Sequence, residues 1–388
     1  KFVIDANYCI TLDRIDEKHY AEILNNSEQL KEWEELFNVD VKSIEDLKNE
    51  KFLVLDTKFF DVNFKDKLLS EFDDLDEQCD GVLINSENFG ALNLLQDRYK
   101  EEVKTVYIDP PYNTGNDGFI YNDNYQHSSW MSFMFDRLSI SKELLKQDGV
   151  IFTQIDDNEY QNLRAVKNAV FGEDKFINNI IWKRKGGRTS PDTNRLENSH
   201  DYILYYKKKE TDINFLFTKE GSEEYLEKQF KYTDEKGKRY RLSPLNAPQY
   251  RPTLVYDFMG YKPHPNGWSM KKESLQKLYD EGRLVFPKEK NGRVNRKQFL
   301  DDWEGYSINS LWTDIGPISG SSKERIMERG QKPEKLLKRI IELSSKDNEQ
   351  DTILDFFTGS GTTTAVSHKM QKKYIGIEMG EYFSKLTL

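Results

Sequence analysis

"VYIDPPYNTGND", residues 106–117, is the stretch on which the reading turns. A short β-branched run ends in two consecutive prolines, which remove two backbone donors and fix two φ angles. Asp109 and Tyr112 stand on either side of them. Alone, the corner reads as a surface turn. Its surroundings are strand and helix in alternation: "GVLI" (81–84) precedes the helix-like "NFGALNLLQDRYKEE" (88–102), and "VKTVYI" (103–108) leads into the corner. "SFMFDRLSISKELLKQDG" (132–149) predicts a helix ending on Gly149, followed by a strand at "VIFTQI" (150–155). "EYQNLRAVKNAVFG" (159–172) predicts another helix, before "INNIIWKR" (177–184) and "DYILYYKK" (201–208). Buried strands alternating with helices are the signature of an α/β fold with a mostly parallel sheet.

The rhythm returns near the far end. "PEKLLKRIIELSS" (333–345) predicts a helix with Pro333 in its first turn, then come "TILDFF" (352–357) and "YIGIEM" (374–379). Between these strands "LDFFTGSGTTTAVSHK" (354–369) reads as strand, Gly359-Ser360-Gly361 turn and helix. Glycines let a backbone approach a ligand closely, and the helix start offers unpaired N–H groups. Glu378 ends the next strand, twenty-three residues after Asp355, the offset at which an acid commonly accepts from a ribose diol. The pattern has neither G-x-G-x-x-G nor G-x-x-x-x-G-K-[ST], and no lysine for phosphates. A nucleoside without phosphates fits best, and S-adenosylmethionine is one.

Both signals fall at carboxyl ends of strands, where open α/β sheets place ligands, so they are expected to face one crevice. The exocyclic amine of a nucleobase is a poor nucleophile, because its lone pair is delocalised into the ring. The Asp109 carboxylate and the Pro110 carbonyl can accept from its two N–H groups, with Pro110 and Pro111 stiffening the corner and Tyr112 stacking on the base. Transfer of a sulfonium methyl then needs mainly position and electrostatics, on a base flipped out of its duplex. The five histidines show no metal spacing and no metal is required. Methylation at cytosine C5 needs a nucleophilic cysteine, and neither Cys9 nor Cys79 has the context for one.

With 388 residues, 37% hydrophobic and 32% charged, the chain has the composition of a globular protein of two or three domains. No apolar run approaches the roughly 20 residues of a membrane span, and no secretory leader opens it. Two distant cysteines fit a reducing cytoplasm without a disulfide scaffold. The net charge of −10 is uneven: −12 over residues 1–100 against +10 over 181–300. "WKRKGGR" (182–188) and "KEKNGRVNRK" (288–297) place Lys183, Arg184, Lys185, Arg188, Arg293, Arg296 and Lys297 as candidates for phosphate contacts along a duplex. The expected divisions are an acidic helical N-terminal region (1–80), a catalytic half (81–208), an irregular or β-rich insert (209–310) and a cofactor half (311–388).

These residues resemble the β class of DNA amino-methyltransferases, most closely the modification subunits of Type III restriction–modification systems. "DPPYNTG" (109–115) matches the catalytic motif and "LDFFTGSGTT" (354–363) with "YIGIEM" the cofactor loop and ribose carboxylate. "LINSENFGAL" (83–92) is similar to the segment at the cofactor's adenine, and "QKPEKLLKRII" (331–341) to the segment closing over its methionine end. "GVIFTQIDDNEYQNLR" (149–164) resembles the motif carrying Asp156. The resemblance implies a Rossmann-like S-adenosylmethionine-dependent methyltransferase fold with circularly permuted motifs and an inserted target-recognition domain. It implies Glu87, Asn88, Asn113, Lys332, Pro333, Asp355, Phe357, Gly359, Gly361, Thr362 and Glu378 as cofactor residues, and methylation of adenine N6 in double-stranded DNA. Tyr125 and Trp130 are candidates for lining the base pocket, or for packing helix on sheet. A homodimer and a restriction (nuclease–helicase) subunit are implied by the family only. Members of that kind run longer, which adds the expectation of a C-terminal domain. The alternatives are a cytosine-N4 methyltransferase and a catalytically idle DNA-recognition subunit of the same fold.

Overall fold

The computed structural model describes residues 6–115, 125–185, 198–210, 217–218, 223–290, 292–327, 330–346, 349–380 and 383. Two compact units divide the chain: residues 1–214 with 310–388, and residues 215–309.

An eight-stranded sheet organises the first unit. Its strands are β1 (Gly81–Asn85), β2 (Val103–Ile108), β3 (Leu145–Ile155), β4 (Phe176–Lys183), β5 (His200–Lys207), β6 (Leu311–Trp312), β7 (Thr352–Asp355) and β8 (Lys373–Glu378). They stand in the order β6-β4-β5-β3-β2-β7-β8-β1. Every pairing is parallel except at β5, which runs antiparallel to both β3 and β4. All six residues of β2 are buried, as a strand covered on both faces requires. Around the sheet lie α1 (Asn88–Tyr99), α2 (His127–Leu144), α3 (Tyr160–Phe171), α4 (Glu334–Ser344) and α5 (Thr362–Lys369). Trp130, Met134 and Leu138 of α2 pack with Leu92 and Leu95 of α1 and with Val106 and Ile108 of β2 in one core. The connection through α2 steps from β2 to β3, whereas the one through α5 steps from β7 away to β8. Winding therefore reverses between β2 and β7, the place where open α/β sheets form a binding crevice.

Several boundaries differ from the sequence reading. The helix expected to end on Gly149 stops at Leu144, and Leu145 already pairs with Val103 in the sheet. Leu144 and Leu145 are both fully buried, so tertiary packing turns the chain there, and the register shifts before Val150 meets Thr105. Pro333 precedes α4 as its N-cap, with extended ψ of 140°, rather than sitting in the first turn. The strand expected through Phe357 ends at Asp355, whose side chain accepts the Phe357 N–H at 2.9 Å and bends the chain.

The N-terminal region carries helices Tyr20–Leu24 and Ser27–Phe37, broken where the Asn26 side chain caps the second by accepting from Gln29 N at 3.0 Å. It also holds a strand pair the helical expectation missed, Cys9–Thr11 antiparallel to Val54–Asp56. Leu12, Ile23, Trp33, Leu47, Leu55 and Leu68 close a core of its own.

In the second unit, Leu284–Val285, Asn295–Phe299, Arg239–Pro244 and Tyr232–Thr233 form a four-stranded antiparallel sheet in that order. Helix Lys272–Asp280 contributes Leu275 to a core with Phe258, Trp268, Leu284 and Val294. Among the described residues no helix is long and apolar enough to cross a membrane.

Candidate active site

The carboxyl ends of four parallel neighbours, β2, β7, β8 and β1, lie side by side. Strands are about 4.8 Å apart, so this edge runs about 14 Å, the scale of a nucleoside with a side chain. Asp109 follows β2, Asp355 ends β7, Glu378 ends β8, and Glu87 follows β1. Residues 246 positions apart in the chain, Asp109 and Asp355, are thus brought to adjacent strand ends.

At the corner, the Lys332 ammonium contacts Asp109 Oδ2 and donates to Gly330 O at 3.1 Å. The other oxygen, Asp109 Oδ1, is buried and accepts no hydrogen bond among the described residues. Burial pushes the Asp109 carboxyl above its ordinary range, with Lys332 pulling the other way. The Trp130 indole donates to Pro111 O at 2.9 Å, fixing the second proline's carbonyl from α2. Tyr112 donates its hydroxyl to Asp201 Oδ2 at 3.1 Å, and burial, with Asp109 and Asp201 adding, holds its phenol well above the usual value and so neutral. Asn113 adopts a left-handed φ of 58°, which its short polar side chain tolerates. Its amide donates to Tyr125 O at 3.0 Å and Glu159 Oε1 at 2.6 Å and accepts from Tyr125 N at 2.8 Å.

The glycine loop is held from within. Asp355 accepts from Phe357 N and, at 2.6 Å, from the Thr363 hydroxyl. Its carboxyl is pushed up to about 7, by burial first and then by the charges of Asp109 and Glu378, against those two hydrogen bonds. Glu378 accepts from Gly359 N at 2.8 Å, Met379 N at 2.9 Å and Gly380 N at 2.6 Å, tying the loop to the end of β8. Gly359 and Gly361 have φ of 54° and 76°, and Gly361 caps α5, whose first residue is Thr362. Among the described residues, a Cβ placed on Gly359 would meet nothing nearer than Phe357 O at 3.9 Å, which leaves room on that side of the loop.

At the β1 end, Glu87 caps α1 by accepting from Gly90 N at 3.0 Å and pairs with Arg137. Burial opposes its ionisation, but the Phe89 and Gly90 N–H groups and Arg137 hold the carboxyl below its usual range. Asn88 donates to Phe356 O at 2.8 Å and accepts from Arg137 Nε at 2.6 Å, bridging α1 to the loop after β7. Phe357 faces Phe133 with ring centroids 5.9 Å apart, and Phe133 stacks on Tyr125 at 5.8 Å.

A DNA methylase family model (N6_N4_Mtase) matches residues 103–388, three-quarters of the chain. The chain belongs to that family. Curated relatives include the probable type III restriction-modification enzyme HindVI Mod subunit of Haemophilus influenzae, 32% identical, covering 80% of this chain and 50% of that protein. The StyLTI Mod subunit of Salmonella typhimurium is 32% identical, over 73% of this chain and 49% of its own length. The type II methyltransferase M.EcaI of Enterobacter cloacae is 31% identical, over 78% of this chain and 67% of its own length. The chain thus spans about half the length of the two type III relatives.

Within this DNA methylase framework several side chains stand elsewhere than expected. Of the two places expected for Trp130, the structure shows the packing one: it is fully buried between helix and sheet and supports the corner from behind. Asn113 spends its donors on Tyr125 and Glu159, which makes it a clasp for the turn rather than an open cofactor ligand. Arg184 lies 2.8 Å from the buried Asp201 carboxylate. Lys183 ends β4, and Lys185 N donates to Ser199 O at 3.3 Å; Arg188 lies outside the described residues. In the second unit Arg296 and Lys297 pair with Ser243 and Leu242, so they sit on opposite faces of its sheet, and Arg293 stands two residues before that strand. Arg137, Gln154, Glu159 and Asp201 escaped the sequence reading. An acid opening the aromatic run "DYILYY" was the one signal for Asp201.

Proposed function

We propose that the chain is a site-specific DNA methyltransferase that uses S-adenosylmethionine to methylate adenine N6 in double-stranded DNA. The observation that carries this reading is the buried Asp109 Oδ1, which makes no hydrogen bond of ordinary geometry among the described residues, at the switch point of the sheet beside the glycine loop. S-adenosylmethionine, when bound, supplies a methyl group on a positively charged sulfur. An orphaned carboxylate oxygen beside a loop with room for a ligand fits both that charge and an amine donor. Gly359, Gly361, Thr362 and Phe357 would hold the cofactor, with Glu87, Asn88 and Glu378 setting the edge against which it lies.

The chain's own residues then do four things. Asp109 Oδ1 and the Pro110 carbonyl accept from the two amine N–H groups and orient the nitrogen lone pair. The Asp109 charge stabilises the positive charge that develops on that nitrogen. Trp130 keeps the corner from relaxing through its bond to Pro111 O. Tyr112 offers its ring to the base, with Lys332 5.6 Å from the ring centre as a neighbouring cation. Asp109 acts as an acceptor that places the amine more than as a base.

The basic segments, with Lys183, Lys185, Arg188, Arg293, Arg296 and Lys297, are assigned to the DNA backbone, and the 215–309 unit to target recognition. Likeness to type III Mod subunits supports a restriction subunit as partner, and the same resemblance extends to a homodimer. The test is to incubate the protein with S-adenosylmethionine and genomic DNA and map modified bases. N6-methyladenine at one recurring sequence is expected. N4-methylcytosine would transfer the reading to the cytosine enzyme, and cofactor binding without any base modification would leave the idle recognition subunit.

A further inference from the structure

The tyrosine of the corner is held by a buried polar node that methyl transfer itself does not require. Asp201 Oδ2 accepts from the Tyr112 hydroxyl at 3.1 Å and from Gln154 Nε2 at 2.9 Å, while Tyr107 donates to Gln154 Oε1 at 2.7 Å. Arg184 Nε lies 2.8 Å from the other oxygen, Oδ1, but neither atom makes a directed hydrogen bond there, so the contact is one of charge. Asp201 is 1% exposed, in β5, opposite Trp182 of β4; Arg184 immediately follows β4. The Arg184 side chain is 35% exposed, and its backbone N–H donates to Ser199 O at 3.0 Å.

A buried carboxylate is costly unless paired, and packing alone would be served as well by an apolar residue. What this carboxylate does is fix a ring. The Tyr112 ring packs against the core, and its hydroxyl is the handle by which Asp201 sets the ring's attitude. Gln154, itself locked by Tyr107, fixes the Asp201 carboxylate in turn.

We propose that Asp201 is a positioning residue of the methyl-transfer site, with Arg184 as its counter-ion, the two holding the Tyr112 ring in the attitude that stacks on the flipped base. The proposal rests on the DNA methyltransferase reading and moves Arg184 from the DNA backbone to the inside of the site. Its effect runs through one hydroxyl, so it is exposed to a double-mutant cycle.

The test uses a duplex carrying the recognition sequence found by genomic mapping, with adenine or 2-aminopurine at the target position. Wild type, Tyr112→Phe, Asp201→Ala, the double variant and Arg184→Gln are compared for single-turnover methylation and for 2-aminopurine fluorescence, which stacking quenches. Tyr112→Phe and Asp201→Ala are each expected to lose about tenfold or more in rate, from the lost charge-assisted hydrogen bond. Both should give a brighter probe, and the double variant should be no slower than the slower single one. Arg184→Gln should move rate and fluorescence the same way, while the slope of log K for DNA against log salt stays that of wild type. Should Asp201→Ala fail to fold, judged by lost cofactor binding, Tyr112→Phe with Arg184→Gln forms the same cycle. Wild-type rate in Tyr112→Phe, losses that multiply in the double variant, or a salt slope reduced by about one unit in Arg184→Gln would each overturn the proposal. A wild type that methylates no DNA overturns the functional reading instead.

Discussion

Asp355→Asn offers a perturbation whose size follows from the structure. The Asp355 carboxyl is pushed up to about 7 from its ordinary 3.8, chiefly by burial. Between those values the folded state keeps its proton and the unfolded chain has lost it. The folded state therefore binds more protons, and stability falls as pH rises through this window. From the two values, ionisation costs the fold roughly 2 kcal/mol at pH 5 and roughly 4 kcal/mol at pH 8. Asparagine is nearly isosteric: its oxygen can still accept the Phe357 N–H, and its amide can donate to the Thr363 hydroxyl that now faces Oδ2. The neutral side chain also spares Asp109 and Glu378 a like charge at the shared strand edge. Urea unfolding of the cofactor-free protein, followed by circular dichroism at pH 5 and pH 8, should show the variant gaining roughly 2–3 kcal/mol more on wild type at the higher pH. Equal gains at both pH values would refute the burial argument, and a variant less stable at pH 8 would show that the hydrogen bonds require the charge.

Two further perturbations test neighbouring parts of the account. Burial raises the Asp109 carboxyl and Lys332 opposes the rise, so Lys332→Met should move the acid limb of the rate–pH profile to higher pH. Activity needs the ionised carboxylate and is lost as pH falls, so the sign is fixed; Lys332→Arg should restore the limb, and an unmoved limb in Lys332→Met would sink the pairing. In β8, a Cβ on Gly376 would lie 2.8 Å from both Leu83 Cδ2 and Thr364 Cγ2. Gly376→Ala should therefore cost about 1–3 kcal/mol of stability, seen as a lower midpoint in thermal unfolding, and an unchanged midpoint would mean the strand yields freely.

The parts of the fold that the sequence made legible are those written in local patterns. Short runs rich in β-branched and apolar residues such as "VKTVYI" announce buried strands, and the glycine loop between "TILDFF" and "YIGIEM" announces a ligand edge by residue type alone. Strand direction is different, because His200–Lys207 reads the same whether it runs with or against its neighbours. In the structure it runs antiparallel to β3, with Tyr205 and Phe152 stacked at 4.1 Å across the pairing. The end of α2 was misread because Gly149 is a local stop signal, whereas the burial of Leu144 and Leu145 stops the helix earlier.

The site divides in the same way. Asp109, Tyr112, Asp355 and Glu378 were legible as candidates because a proline corner and a glycine turn mark them in the chain, and the structure brings Asp109, Asp355 and Glu378 to neighbouring strand ends. Asp201 and Gln154 were not, since they act on Tyr112 and on each other from 89 and 47 residues away, and nothing beside them in the chain marks that. Trp130 shows the limit from the other side. An aromatic near a catalytic motif suggests a base pocket, and only three-dimensional packing reveals an indole facing the core and holding Pro111.

The central claim is that Asp109 places a base amine for methyl transfer. Its most direct test is transfer of labelled methyl from S-adenosylmethionine to duplex DNA by wild type and Asp109→Ala, with cofactor affinity measured on both. The account predicts labelled N6-methyladenine from wild type, none from the variant, and cofactor binding retained by both. Methylation by Asp109→Ala at the wild-type rate would contradict it.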